Sequence, residues 1–553
     1  MLKHILIALL FGKTLIVGKV KIEGVKALSQ SEIKSILRMS RGDKYYPPLF
    51  NSYKQRLLDE IKDRGYFDAK IIDEKVTEEN EKVYIYLKIK EGTRYILSGI
   101  QTSWESSDTL FFRKTMNILY FRIPIPYSSD LLAKKETEAL DFLRNQGYLK
   151  ASIERAVIRD SIRKTCTVIW KIDKGPRYRV DDIQITGNRT VRRAIIEREI
   201  KVKTGQFVSP ADVMESIQRI YSTGLFKTIY HTYEYQGDSA VKIIFNVEER
   251  KNRYIRIQCG VYPFELVNLN LELGHRNLFN NNQNLSLRLE NGFEPFTRFE
   301  NFYTELLYSE PYFLSTPLKY NLKFFGGTSK IDSTSYVGVE TYISYYWTRK
   351  SRSILGLQWR KFLEGKYSEG VTNKALFSTI FDKRDDQLYP TKGYVMQINF
   401  SRAGGILGGN YHFYKYDVGF SSYIKIWKPK GVIALRLSNG NIFPLYSSTI
   451  PLIEEFKIGG DGTLRGYKYS QFYSTSFYLV NLELRSTINS KYGLCLLTDI
   501  YPQIGGKIYF SAGLGFRYFL PVGNLRVDWA FNPNRFGDRG YFGNLYINLG
   551  EMF

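Results

Sequence analysis

The chain has 553 residues, more than one ordinary domain needs, and its three cysteines are too few for a disulfide framework. The formal net charge of +24 is dispersed and no nucleic-acid motif accompanies it, which argues against nucleic-acid binding. Past the N-terminus no run of about 18 apolar residues occurs, which argues against membrane-spanning helices, whereas 43 Tyr and 36 Phe are typical of the aromatic girdles of membrane β-barrels.

The N-terminus has the pattern of a secretory signal. Lys3 supplies the positive end and Ile5–Phe11 supply the apolar stretch. Lys13 then interrupts this stretch, and the exit site near Gly18 fits the small-residue rule poorly. We predict a signal peptide over residues 1–18, and the alternative is a short buried segment of the mature chain.

Three similar units follow, which we divide at residues 19–92, 93–175 and 176–250. Each unit opens with a short strand, continues through two helical stretches and closes with two alternating strands. This β-α-α-β-β order is of the α+β class and predicts two helices over one face of a small sheet. Such a sheet keeps an open edge, which can accept an extended peptide as an added strand.

Local signals support the helices of these units. In the first unit Leu57 and Ile61 share one helical stripe, and Gly65 supplies the left-handed residue that ends the helix. In the third unit Ser209 is the predicted N-cap, and Asp212 in the first turn is placed to form the reciprocal hydrogen bond of a capping box. A glycine followed by two apolar residues ends the second helix of every unit: Gly65-Tyr66-Phe67, Gly147-Tyr148-Leu149 and Gly224-Leu225-Phe226.

After the third unit the helical periodicity vanishes and strict alternation takes over. The segments 285–290, 396–401, 433–438 and 480–485 place apolar residues on one parity and polar residues such as Arg, Glu and Asn on the other. The second layer of a sandwich would be dry, whereas a barrel lumen is wet and accepts such charges. At roughly 19 residues per strand and connection, residues 251–553 predict an all-β transmembrane barrel of about sixteen antiparallel strands.

A glycine-rich segment within the predicted barrel carries one arginine, Arg465. Glycine allows a loop to bend sharply, and an arginine held inside a barrel needs carboxylate partners. Glu483 and Asp528 lie on polar strand parities, and together with Asp499 they are the candidate partners. We predict that Arg465 latches this loop inside the lumen. The other predicted latch residues are Gly462, Leu464, Gly466 and Tyr467.

These features, in this order, resemble the BamA/TamA-type outer-membrane assembly proteins, whose periplasmic repeats are called POTRA domains. The segment 459–467 resembles the family's Arg-Gly-aromatic motif on a loop that folds back into the barrel. The segments 274–279, 310–313 and 382–393 resemble further barrel motifs. The stretch 497–501 departs from the family's Phe-x-Asp-x-Gly strand, since leucine replaces the phenylalanine and tyrosine the glycine. The resemblance places the barrel in the outer membrane of a Gram-negative bacterium.

The chain ends on Phe553 after a final amphipathic stretch. This ending resembles the signal by which outer-membrane barrels are recognised for assembly. Tyr546, Asn548, Gly550 and Phe553 are the residues that we assign to this signal and to the seam where the last strand meets the first. The alternative is an aromatic residue of the membrane-interface belt that happens to be last.

The resemblance implies an insertase that binds unfolded client proteins through its POTRA domains and assembles β-barrel proteins into the outer membrane at the seam. Its implied partners are these clients and outer-membrane lipids. The sequence leaves open whether periplasmic chaperones, accessory lipoproteins or an inner-membrane partner also bind. It also leaves open whether the role is BamA-like or TamA-like. The alternative is a two-partner-type secretion pore that exports a dedicated passenger protein, but three units and no plug-like helix before Val20 argue against it.

The sequence offers no catalytic or metal site. The four histidines, at positions 4, 231, 275 and 412, are scattered without metal-ligand spacing. Neither His-Glu-x-x-His nor Gly-x-Ser-x-Gly occurs, and Gly12-Lys13-Thr14 lacks the earlier glycine of a phosphate loop. We therefore expect no enzymatic activity, no cofactor and no nucleic-acid partner.

Overall fold

The computed structural model describes residues 15–104, 109–262, 266–294, 298–329, 334–364, 370–427, 431–488, 491–503, 505–520, 523–536, 538 and 541–553. The predicted signal peptide lies mostly outside the described residues and stays a prediction. Residues 16–18, which the prediction includes, instead begin the first strand of the first repeat. No helix among the described residues is long and apolar enough to cross a membrane.

The first repeat has three strands and two helices: β1 (Ile16–Glu23), α1 (Gln30–Leu37), α2 (Pro47–Asp63), β2 (Lys70–Glu79) and β3 (Lys82–Lys90). The strand order is β1-β3-β2, with β1 parallel to β3 and β2 antiparallel to it. Leu57 and Ile61 of the predicted helical stripe are fully buried and belong to a core that also contains Ile89 of β3. The apolar stripe of α2 thus packs on the sheet.

The second and third repeats have the same order of elements. The second contains β4 (Ile96–Trp104), α3 (Thr109–Leu119), β5 (Ile125–Pro126), α4 (Ser129–Asn145), β6 (Ser152–Asp160) and β7 (Thr165–Asp173). The third contains β8 (Arg179–Thr186), α5 (Arg193–Glu197), α6 (Pro210–Ser222), β9 (Phe226–Gln236) and β10 (Ala240–Glu249). Their strand orders are β5-β4-β7-β6 and β8-β10-β9. The predicted β-α-α-β-β order is confirmed, and the second repeat adds only the short strand β5.

The predicted helix-ending glycines and the predicted N-cap of the third unit are confirmed. Gly65, Gly147 and Gly224 have positive φ angles of 96°, 98° and 74°, the left-handed conformation that ends a helix. The backbone N–H of Asp212 donates to Ser209 Oγ at 3.2 Å, so Ser209 caps α6.

The first and third repeats share a turn after their first strand. Gly24 and Gly187 have φ angles of 85° and 91°, and a Cβ at either position would overlap a backbone carbonyl oxygen, that of Ile89 or of Val247. Backbone N–H groups just beyond each glycine donate to a carboxylate at the end of the repeat. The donors are Lys26 and Ala27 for Glu91, and Arg189, Thr190 and Val191 for Glu249. The turn and the last strand therefore hold each other in place.

The remaining strands within the described residues are β11 (Arg253–Tyr262), β12 (Leu266–Leu278), β13 (Gln283–Glu294), β14 (Arg298–Glu310), β15 (Leu318–Ser329), β16 (Thr334–Tyr346), β17 (Arg352–Glu364), β18 (Val371–Asp382), β19 (Gly393–Ala403), β20 (Phe413–Trp427), β21 (Gly431–Pro444), β22 (Phe456–Ile458), β23 (Phe472–Ser474), β24 (Ser476–Thr487), β25 (Tyr492–Pro502), β26 (Ile508–Leu520), β27 (Gly523–Phe531) and β28 (Asn544–Leu549). All but β22 and β23 form one 16-stranded antiparallel sheet in chain order, which confirms the predicted barrel architecture.

The two faces of this sheet differ from those of a water-soluble protein. Leu494 and Leu496 on β25 expose 52% and 54% of their surface, whereas Arg485, Asp499 and Arg517 are fully buried. In water such an arrangement would leave apolar surface exposed and bury charges, and both are unfavourable. In a bilayer the leucine face contacts lipid while the polar face lines the lumen.

We predict that Gly187→Ala destabilises the third repeat more than Gly205→Ala does. Both glycines have a positive φ, but only the Cβ at position 187 would meet backbone, whereas nothing lies within 4 Å of the Cβ at position 205. The positive φ alone costs about 1 kcal/mol, and the overlap adds to it at position 187. Hydrogen exchange of β8 and β10 peptides in the full chain measures the difference, and equal loss of protection in both variants would contradict the packing argument.

Candidate functional site

The connection between β21 and β24, residues 445–475, folds back into the lumen; we call it the lumen loop. Its strands β22 and β23 form a small hairpin, with Phe456 opposite Ser474 and Ile458 opposite Phe472. Leu464 and Tyr467 at the tip are buried in an apolar cluster with Tyr501 of β25. The family that the sequence resembles has glycine at the position of Tyr501. The tyrosine side chain therefore gives the loop an additional packing partner.

Three carboxylates from three strands surround Arg465, which is fully buried. Its backbone N–H and Nε donate to Asp499 Oδ2, both at 2.9 Å, and its Nη2 donates to Asp499 Oδ1 at 2.8 Å. Its Nη1 donates to Glu483 Oε1 at 2.5 Å and to Asp528 Oδ2 at 3.0 Å. The structure thus brings together Arg465 and all of its predicted partners.

Further arginines, which were not predicted from the sequence, pair with the carboxylates of this site. Arg485 Nη2 lies 2.8 Å from Glu483 Oε2, Arg517 Nη1 lies 2.5 Å from Asp528 Oδ1, and Arg526 Nη1 lies 3.1 Å from Asp528 Oδ2. Two of them could have been found, because Arg485 and Arg526 stand two residues from a predicted carboxylate on the same strand face.

Glycines make room for these contacts. A Cβ at Gly515 would lie 2.5 Å from both Arg517 Nη1 and Asp528 Oδ1, so a larger residue would displace that ion pair from its present position. Gly466 at the loop tip has a φ of 82°, and a Cβ there would lie 2.8 Å from the backbone carbon of Phe531. Gly462 also has a positive φ, and its carbonyl oxygen accepts from Arg436 Nη2 at 2.6 Å. The loop backbone can therefore approach the barrel wall closely.

The tip of the lumen loop is bonded to the last strand, β28. The Gly466 N–H donates to the Tyr546 hydroxyl at 3.1 Å, and Asn544 Nδ2 donates to the Tyr467 carbonyl oxygen at 3.0 Å. Asn548 Nδ2 donates to Asp461 Oδ2 at 2.6 Å. The predicted seam residues Tyr546 and Asn548 therefore face the lumen, where Tyr546 contacts the predicted latch and Asn548 contacts the neighbouring Asp461.

The C-terminus departs from the prediction of a final strand that ends in phenylalanine. Strand β28 ends at Leu549, and Gly550, with a φ of 86°, turns the chain away from it. Phe553 packs in a separate cluster, its ring 6.5 Å from that of Tyr423. The buried Glu551 lies 2.9 Å from Arg517 Nε. This ion pair and the ring contact account for the inward turn, while the assembly-signal interpretation stays a prediction.

We predict that Arg465→Ala lowers the stability of the barrel by about 3–5 kcal/mol, because it leaves buried carboxylates without their central cation. Urea unfolding of the purified chain in detergent, followed by tryptophan fluorescence, measures the loss. The matched control is Arg288→Ala, whose partly exposed side chain pairs with Glu290 on its own strand and should cost less than about 1 kcal/mol. Equal losses would show that Arg465 is an ordinary lumen charge.

Comparisons with known families match both parts of the chain. The Omp85 superfamily domain matches residues 277–553, and the POTRA family, described as a surface antigen variable number repeat, matches residues 15–92 and 178–250. The structure shows the same order of elements in the intervening second repeat.

Relatives and solved structures agree with these matches. The outer membrane protein assembly factor BamA of Nitratidesulfovibrio vulgaris is 24% identical over 98% of this chain and 74% of its own length. The BamA of Neorickettsia risticii is 22% identical over 92% of this chain and 73% of its own length. The crystal structure of Haemophilus ducreyi BamA lacking POTRA domains 1–3 has a TM-score of 0.59 and 17% identity, and covers 83% of this chain and 98% of that one.

The Omp85 match alone spans 277 of the 553 residues, since it runs from residue 277 to residue 553. The likeness to the crystal structure supports the same fold over most of the chain. This chain is therefore a member of the Omp85 superfamily, and it lies in the outer membrane of a Gram-negative bacterium with its POTRA domains in the periplasm.

Proposed function

We propose that this protein is an outer-membrane assembly factor that receives unfolded β-barrel clients on its POTRA domains and inserts them at the barrel seam. The relatives described above carry the name of outer membrane protein assembly factor. The observation that carries the proposal is the set of hydrogen bonds between the lumen loop and β28. These bonds connect the loop inside the barrel to the strand with which a client would pair.

The POTRA sheets offer edges for client binding. Strands β2, β6 and β9 are each the last strand in their sheet order. Each exposes large apolar side chains, among them Ile158 at 59% and Tyr230 at 56% exposure. An edge strand presents backbone groups to an added strand, and exposed apolar residues favour the side chains of an unfolded client.

The seam is the part of the barrel best suited to open. Strands β11 and β28 are the two terminal strands of the 16-stranded sheet. Strand β28 has only 6 residues, whereas its neighbour β27 has 9. Unpaired backbone groups are costly in lipid, so opening must be local and a client strand must replace the lost partner. A short last strand has fewer ladder hydrogen bonds to break than a long one, so it can separate at lower cost.

Insertion by this route needs no enzymatic step. The client folds from an extended chain into a closed barrel in lipid, and the free energy of this folding drives insertion. The protein's own residues bind the client, template its first strand and release it.

We predict that a disulfide across the seam abolishes client insertion while the barrel stays folded. One cysteine is placed within residues 254–259 of β11 and one within residues 544–549 of β28, and different pairs are tested for cross-linking. Native cysteines that are not part of the pair are replaced by alanine. The variant that forms the disulfide is purified. Insertion of a β-barrel client into lipid vesicles should fall to background and return when the disulfide is reduced.

The matched control places a disulfide inside the sheet. Leu271 of β12 lies directly opposite Leu289 of β13, so cysteines at these positions lock two interior strands. This control should insert clients normally. Normal insertion by the seam-locked protein would rule out opening between β11 and β28.

We expect depletion of the protein in its host to lower the levels of many outer-membrane β-barrels, measured by quantitative proteomics of the outer membrane. A general assembly factor serves many clients, whereas a secretion pore serves a dedicated passenger. Unchanged barrel levels together with periplasmic accumulation of one secreted protein would favour the secretion pore.

A further inference from the structure

The lumen loop carries a second buried charge, Glu454, before Arg465 in the chain. Its Oε1 lies 2.9 Å from Arg360 Nη1 and 2.8 Å from Lys374 Nζ. Lys415 Nζ donates to the Glu454 carbonyl oxygen at 2.6 Å and lies 4.0 Å from its Oε2. One loop carboxylate thus meets cations from three strands, β17, β18 and β20.

The loop carboxylate compensates cations of the barrel wall that lie close together with little exposure to water. The side chain of Lys374 is only 7% exposed, and Arg360 is 14% exposed. Converging cations repel one another where little water reaches them, and a buried cation without an anion is strongly unfavourable. The wall at β17, β18 and β20 is therefore a site for an anion, and the structure fills it with Glu454.

Apolar contacts flank this ion cluster on the loop side. The loop residues Ile450, Ile453 and Phe456 pack against a buried cluster of wall residues that includes Phe362 and Phe413. The tip around Arg465 has its own apolar cluster with Tyr467 and Tyr501. Each buried loop charge therefore lies beside apolar side chains that exclude water from the ion pair.

The two buried charges attach the loop to different strands. Glu454 contacts β17, β18 and β20, whereas Arg465 contacts β24, β25 and β27. Asp461, which lies between them in the loop, pairs with Arg526 Nη2 at 2.6 Å and accepts from Asn548 of β28. One contact between the loop and the seam strand thus lies between the two anchors, and the contacts of Gly466 and Tyr467 follow directly after Arg465.

We propose that Glu454 is a second positioning residue of the lumen loop, an acidic anchor whose polarity is opposite to that of Arg465. The two anchors hold the loop between two parts of the barrel wall and keep its tip on β28. A loop that carries an anion at one anchor and a cation at the other fits only one way round. The consequence for client insertion rests on the proposed function, but the anchoring itself does not.

The test measures exposure of the loop between its anchors. Ile458 is buried and lies between Glu454 and Arg465, so Ile458→Cys serves as a thiol reporter after Cys166, Cys259 and Cys495 are replaced by alanine. The purified full chain in lipid vesicles is labelled with a maleimide. Glu454→Gln should raise the labelling rate more than about tenfold, because the loop leaves the wall more often.

Two comparisons separate anchoring from general destabilisation. Glu340→Gln removes another lumen carboxylate, whose partners are Lys323 at 3.0 Å and Gln358 at 2.7 Å, both on strands, and it should leave labelling unchanged. The double variant Glu454→Gln/Lys374→Gln removes the most buried uncompensated cation, so barrel stability recovers while the anchor stays absent. Labelling should remain high in the double variant.

The outcomes are distinct. Unchanged labelling in Glu454→Gln, or a return to the parent rate in the double variant, would overturn the anchor. Client insertion measured on the same samples tests the proposed function separately. Fast labelling with normal insertion would retain the anchor and remove the link between loop position and assembly.

Discussion

The structure of the barrel depends on one buried guanidinium. Arg465 is held by Glu483, Asp499 and Asp528, which come from three different strands. The loop can occupy its place only when these strands are in register, and the carboxylates are compensated only when the loop is in place. Loop and wall therefore stabilise each other, and the contacts from the loop to β28 extend this dependence to the seam.

Charge balance explains why so many ions can be buried in one region. The arginines at 465, 485, 517 and 526 pair with the carboxylates at 461, 483, 499, 528 and 551, so each buried guanidinium of the cluster has an anion beside it. Its members reach it from the loop, four strands and the C-terminal segment. Buried ion pairs add little stability in themselves, but they penalise wrong pairings strongly, so they specify a single arrangement.

In the POTRA repeats, smaller sets of contacts likewise specify a single arrangement. A glycine after the first strand and a carboxylate at the end of the last strand fix the turn in the first and third repeats. The second repeat has Lys174 where the others have Glu91 and Glu249, so the repeats are alike in architecture but not in every contact. Their helix ends and the N-cap of α6 follow from residues within one turn, which is why local patterns predicted them.

The sequence by itself determined the order of elements and, in the alternating segments, the face on which a charge lies, because periods of two and 3.6 residues report directly on burial. The number of barrel strands followed from the length of the region at roughly 19 residues per strand and connection. Tertiary structure alone decided which charges meet. Glu483 of β24 and Asp528 of β27 bind the same arginine, Glu454 has no local signature, and Gly550 could have turned the C-terminus either way. A pattern states which way a side chain points, whereas its partner depends on strand register and on the path of the loop across the lumen.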